Sequence, residues 1–380
     1  MSTTALRPTA IFLIVVGSLA LSLVGGCGYS GTKVCNAAAG CCGPADLCVA
    51  PRYLYADGLN SQITVFPVNP GTGTLGSPIS ISGPTDSLGM AAFSNSFLYA
   101  SNPVILSGGA IDAWSIDLGT GALTPVNGSP FIIGPFSSAG GLATNPSAQV
   151  VYVADAGKID ALQVGPTGAL TTLAGSPFPA GTGLYVTVDP QDRFVFASDT
   201  TPPGNVWAFT ANSLGALTAV QGSPFAADPS SSTSTNPSQI VVDSTGNFVY
   251  VALMATNQVA AFSIAPSTGA LTPVPGSPFA TGNSPLSMTT VNNLLYIGNA
   301  KDETISGYTI NSTTGVLTPV PGSPFAVSAG SLTADPFGTF LYVSGAQGML
   351  VFSIDPNTGG LTQVGSPVPY AGATGLTYVP

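Results

Sequence analysis

Histidine is absent from this 380-residue chain, and cations are scarce: six Lys and Arg stand against 16 Asp and Glu. Charged residues make up 6% of the chain, where an average soluble domain carries about 25%. The missing imidazole excludes Ser-His-Asp and Cys-His nucleophile pairs, and any zinc site that needs a His ligand. A net charge of −10 leaves no basic footprint for a phosphate backbone or an anionic membrane surface, so nucleic acid is not an expected partner. Glu303 is the sole glutamate, which leaves acid–base chemistry to aspartate. Neither a GxSxG elbow nor a P-loop occurs, and no cofactor or metal is expected. What fills the chain instead is 44% hydrophobic residues, 47 Gly and 34 Pro.

The first residues read as an address. Arg7 precedes an apolar run from Ala10 to Val24, and small residues lead to Cys27. A charged start, an apolar run and small residues before a cut are the parts of a secretory signal. The run is shorter than the ~20 residues a membrane-spanning helix needs. Cys35, Cys41, Cys42 and Cys48 follow, and no cysteine comes after them. An even count in an exported chain reads as two disulfides. Adjacent Cys41 and Cys42 are disfavoured as partners. That leaves 35–41 with 42–48, or 35–42 with 41–48; a thiolate metal site is the alternative, against which stands the lack of paired CxxC spacing. The expected organisation is a signal over 1–26, a stapled tether over 27–51 and a folded domain over 52–380.

That domain is a repeat. A motif ending in GSPF recurs, and its leucines fall at Leu75, Leu123, Leu170, Leu217, Leu271, Leu317 and Leu361. Upstream of each lies an aromatic flanked by β-branched, Leu or small residues: Tyr55, Tyr99, Tyr152, Phe196, Tyr250, Tyr296 and Tyr342. Seven copies at ~40–50 residues, carrying strand signals only, indicate propeller blades. In residues 238–280, SQIVVDSTG, NFVYVAL and VAAFSIA give three strands, PSTG a turn, and LTPVPGSPF a fourth strand held at the sheet edge by its prolines. The ending ATGLTYVP matches a first strand such as 183–190, while residue 52 opens a second strand. Residues 373–379 should therefore complete blade one beside 52–80, closing an all-β, seven-bladed propeller with four antiparallel strands per blade. The repeated motif reads as structure, and function should sit where the copies differ.

These repeats resemble the YVTN-type and lactonase-like seven-bladed propellers, which include 6-phosphogluconolactonase-like proteins. Val24-Gly25-Gly26-Cys27 resembles the bacterial lipoprotein box, which implies that Cys27 carries lipid and that the protein is exported and anchored to the cell envelope, at the outer membrane or cell surface. An ordinary signal peptide with Cys27 a bystander is the plainer alternative. Lactonase-like blades often open the inner strand with Pro-Arg-His. Here the matching places read Pro237-Ser238-Gln239, Pro285-Leu286-Ser287, Ala329-Gly330-Ser331 and Gly181-Thr182-Gly183. That departure puts phosphorylated-lactone chemistry in doubt, because a dianion needs fixed cations.

The leading expectation is a non-catalytic module binding a protein or glycan partner at the channel mouth, monomeric and touching membrane only through its lipid. The alternative is a lactone hydrolase of the 6-phosphogluconolactonase-like type. The candidate binding residues are Asp228, Asn236 and Gln239 on the longest inter-repeat loop (226–239), Phe136 on the apolar loop 131–141, and Lys158 and Lys301 on turns after second strands. No catalytic residue is assigned. The pairs Asp155 with Asp160, Asp189 with Asp192 and Asp302 with Glu303 are the remaining acid–base candidates, against the reading that they form Asp-capped turns. Trp114 and Trp207 fall on third strands and read as core.

Overall fold

The computed structural model describes residues 51–380 apart from 59–60, 85–86, 104–107, 135–138, 156, 184, 232 and 371. The signal, Cys27, the four tether cysteines and Phe136 lie outside the described residues. The strands form seven separate antiparallel sheets, each built on a path of four. The fifth blade runs Pro237–Val242, Phe248–Leu253, Gln258–Ile264 and Leu271–Pro273 from the inside outward. Blade one is composite, as expected. Its inner strand is Ala373–Val379, paired with Arg52–Gly58 in the register Tyr55↔Thr377 and Tyr53↔Val379.

The outer strand differs from the expectation. LTPVPGSPF is two short strands rather than one: Leu271–Pro273 and Phe279–Ala280 both pair with Gln258–Ile264. Pro273, Pro275 and Pro278 have no N–H to donate, and Gly276 turns the chain at φ +86°. The interruption would strand one ladder N–H on the third strand. Ser277 Oγ accepts it, from Ala261 N at 2.9 Å. Ser129, Ser176, Ser223 and Ser323 do the same for Ala113, Ala161, Ala208 and Gly307. The serine of GSP is thus a side-chain plug in the hydrogen-bond ladder, which explains its recurrence without any ligand.

The other repeated residues join blades. Buried apolar residues fall into seven clusters, each shared by two neighbouring blades. Leu271 packs into the cluster between blades four and five, and Phe279 against that between five and six. The second-strand tyrosine is a latch. Tyr250 OH donates to Gly315 O of the next blade at 3.0 Å, and Tyr55, Tyr99, Tyr152 and Tyr296 make the equivalent bonds at 2.7–3.0 Å. The accepting glycine is obligatory: Gly315 sits at φ +73°, and a Cβ there would lie 2.3 Å from the Phe248 ring. Burial holds these phenols above their ordinary pKa, so they stay donors throughout the accessible pH range.

Tyr342 breaks the pattern. It is fully buried, yet its hydroxyl has no hydrogen-bond partner among the described residues. Tyr250→Phe is therefore expected to destabilise by roughly 1–3 kcal/mol, because it orphans a buried carbonyl, while Tyr342→Phe is neutral or stabilising. Denaturant unfolding of the two variants checks this; equal losses would contradict it.

Candidate functional site

The seven inner strands pack side by side in a closed ring and enclose a central cavity of about 420 Å³. That volume lies in the ~300–1,000 Å³ range of small-molecule sites. Each blade contributes the opening residues of its inner strand: Leu88, Leu142, Tyr185, Gln239, Leu286 with Ser287, Ser331, and Thr374 with Gly375. The wall is apolar with a few hydroxyls and one amide. Among the described residues, no charged side chain lines it.

The second strands run one layer outside this wall, and all but that of blade five, which ends in Leu253, carry a polar residue in their last two positions. In blades one, two, four and seven that residue caps the backbone that enters the inner strand. Ser101 Oγ accepts from Leu88 N (2.9 Å) and Gly89 N (3.1 Å). Ser344 Oγ accepts from Ser331 N at 3.1 Å. Asp199 accepts from Thr182 N, Thr201 N and Trp207 Nε1 at 2.9–3.2 Å. Burial pushes Asp199 up, but these donors outweigh it and hold the carboxyl below its ordinary range. Short side chains ending in oxygen suit this position because they accept two amides at once.

Asp57 occupies the serine position in blade one. It is 1% exposed. Its Oδ1 accepts from the Gly375 amide and, at 2.9 Å, from Thr374 Oγ1. Its Oδ2 has no partner of good geometry among the described residues. Burial pushes its carboxyl up, against smaller opposing effects of Ser87, Thr374 and Gly375. Thr374 is exposed and lines the cavity. A hydroxyl in the channel is thus bonded to a buried carboxylate immediately behind the wall. The sequence reading assigned neither residue. The available signal was a difference between copies: YLYADG has Asp57 where FLYASN, FVFASD and FLYVSG have Ser101, Ser198 and Ser344.

The residues singled out from sequence scatter. Gln239 lines the cavity, and its Oε1 accepts from Met288 N of the next blade at 2.5 Å. Asp228 is buried and closes a local turn through Ser230 N (2.9 Å). Asn236 sits at φ +48° in the same loop, which is tied down where Thr235 N donates to Pro203 O at 2.8 Å. Lys158 lies between Asp155 (2.6 Å) and Asp160 (2.8 Å). Burial lowers the Lys158 ammonium, but the two carboxylates outweigh it and hold it above its ordinary value; burial pushes Asp160 up by more than Lys158 pulls it down. Lys301 is exposed on its turn. Asp302, also exposed, accepts from Asn283 N at 2.6 Å. Asp189 and Asp335 cap turns at the far end of the sheets, where Asp189 also pairs with Arg193 at 2.8 Å. Arg52 stacks over Phe337, 4.3 Å from the ring centroid. Trp114 is core, and Trp207 stacks on Phe209. No group of three or more metal-ligating residues occurs among the described residues.

A closed seven-bladed ring around a small-molecule-sized channel defines the class, and comparison with known proteins agrees. Residues 203–332 match the family model described as Lactonase, 7-bladed beta-propeller. The fold resembles a Bacteroides uniformis protein proposed to be a 6-phosphogluconolactonase (TM-score 0.73, 19% identity, 87% of this chain and 99% of that one). It also resembles a Lactobacillus plantarum protein (TM-score 0.72, 17% identity, 87% and 100%) and the Pseudomonas aeruginosa periplasmic gluconolactonase PpgL (TM-score 0.65, 15% identity, 87% and 98%). No curated protein matches the chain. The chain is a seven-bladed propeller that resembles the lactonase family over residues 203–332; identities below 20% make these three likenesses statements about fold.

Proposed function

We propose that this propeller hydrolyses a neutral sugar lactone in its central channel. The family-model match and the gluconolactonase neighbour favour a lactone over the inert module expected from the missing histidine. One observation carries the choice of a neutral substrate: none of the four cations in the propeller lines the channel. Lys158 is held by two aspartates, Lys301 lies on an exposed turn, Arg193 is paired with Asp189, and Arg52 stacks on Phe337. A phosphate dianion brought to this wall would lose its hydration and gain no counter-charge. A neutral, polyhydroxylated ring finds hydroxyls, an amide and apolar surface.

Hydrolysis by the full-length chain of glucono-δ-lactone and of its 6-phosphate ester tests the reading. The expected result is turnover of the neutral lactone, with kcat/KM at least about tenfold above that for the phosphate ester. A preference for the ester would overturn it. The second reading, a glycan-binding module, is favoured by the engagement of most carboxylates as backbone caps, and it predicts binding of a neutral sugar without turnover. Export and lipid anchoring through Cys27 fit either reading.

A further inference from the structure

Capping the entry to an inner strand does not require a carboxylate. Ser101 and Ser344 do it with a neutral hydroxyl in blades two and seven. Blade four uses Asp199, both of whose oxygens are bonded; blade one also buries a charge-bearing group for this task, which is costly unless the charge is used. Asp57 also retains an oxygen that the cap does not use. What distinguishes blade one further is the side chain in front. Ser287, Ser331 and Thr374 all line the cavity, but the Ser287 hydroxyl is itself buried, and of the three only the Thr374 hydroxyl is bonded to a carboxylate among the described residues. The Gly375 amide fixes the accepting oxygen in place.

A hydroxyl nucleophile, a base within hydrogen-bond reach and a third group orienting the base form the signature of nucleophilic catalysis. Histidine is the usual base, and this chain has none. Burial supplies the alternative, because it makes the Asp57 carboxylate a stronger base than one in water. Tyr370, whose hydroxyl reaches Ala56 O at 3.4 Å, is a titratable neighbour of this carboxylate.

We infer that Thr374 and Asp57 are the reacting pair for the lactone hydrolysis proposed above, on which this inference rests. Thr374 Oγ1 attacks the lactone carbonyl carbon while its proton passes to Asp57 Oδ1. The tetrahedral adduct collapses with cleavage of the ring C–O bond, and the departing ring oxygen takes the proton from Asp57. The product is held as an ester on Thr374. A water molecule then gives a proton to Asp57 and attacks the ester carbonyl. The bond to Oγ1 breaks, the proton returns to Thr374, and the hydroxy acid leaves. The net change is lactone plus water to hydroxy acid.

The test is glucono-δ-lactone turnover by full-length wild type, Thr374→Val, Thr374→Ser and Asp57→Asn, with mass spectrometry of acid-quenched protein. Removal of the nucleophile or its base should cost at least about 100-fold in kcat, so Val and Asn lose that much. Ser keeps activity within about tenfold, and wild type yields a gluconoyl ester on the peptide containing Thr374. Because Asp57→Asn also alters the cap on Gly375 and so tests folding as well as chemistry, Thr374→Val, which leaves that cap in place, is the deciding variant. If wild type turns over lactone and Thr374→Val keeps its rate within about threefold, the pair is wrong and the lactone reading stands. If wild type turns over no neutral lactone, both fall together.

Discussion

A chain ending at Gly372 will not melt cooperatively. The strand it loses, Ala373–Val379, is shared by three blades. It pairs with Arg52–Gly58 along its length. Thr377 Oγ1 donates to Met90 O of blade two at 2.9 Å, and Tyr378 stacks on Tyr342 of blade seven with ring centroids 5.6 Å apart. Val379 is fully buried. Its loss bares an unpaired edge on a strand whose Leu54, Tyr55 and Ala56 are fully buried. The ring then opens between the cluster that joins blades seven and one and the cluster that joins one and two. The combined cost is on the order of 5–10 kcal/mol, comparable with the whole stability of a typical domain. Circular dichroism melting with dye binding checks it: the expected result is a broad transition and exposed apolar surface. A sharp melt within a few degrees of wild type would mean that the C-terminal strand is an ornament.

How far the sequence carried the reading follows from what repeats and what does not. Blade number, strand order and ring closure were legible because each depends on residues present in every copy. The aromatic of the second strand, the glycine of the following turn and the leucine after it recur since each must meet the same partner in a neighbouring blade. What escaped was finer. The split of the outer strand was hidden because LTPVPGSPF has strand-like composition throughout, and only the ladder register exposes its central turn. The hydroxyl plug of Ser277 is a contact between residues 16 apart that no periodicity reports.

The site was less legible. Sequence reasoning looked for histidine and arginine at the openings of the inner strands and, finding none, turned to irregular loops. Among the residues chosen there, Gln239 does reach the channel wall and Lys301 lies on an exposed turn. Asp57 and Thr374 stand 317 positions apart and belong to the two halves of the composite blade. Their meeting is a product of closure, so it appears only once the chain is folded. The copy-to-copy comparison still pointed to Asp57, as the one carboxylate in a column otherwise filled by Ser, Ala and Gly.

If turnover takes place inside the channel, filling the channel abolishes it. Leu142 and Leu286 line it from blades three and six, whereas Thr374 belongs to blade one; both are only half-buried, and Leu142 also touches the cluster joining blades two and three. Replacing both with Trp puts two indoles into a cavity of about 420 Å³ without deleting a hydrogen bond. Side chains that enter open space avoid the 1–3 kcal/mol or so that overpacking a dense core costs. The account predicts a melting temperature within a few degrees of wild type and a loss of at least about 100-fold in glucono-δ-lactone turnover, of the size expected when substrate cannot reach its near-attack position. A Leu142→Trp/Leu286→Trp double variant that hydrolyses the lactone at the wild-type rate would contradict it and move the site to the outer surface of the ring.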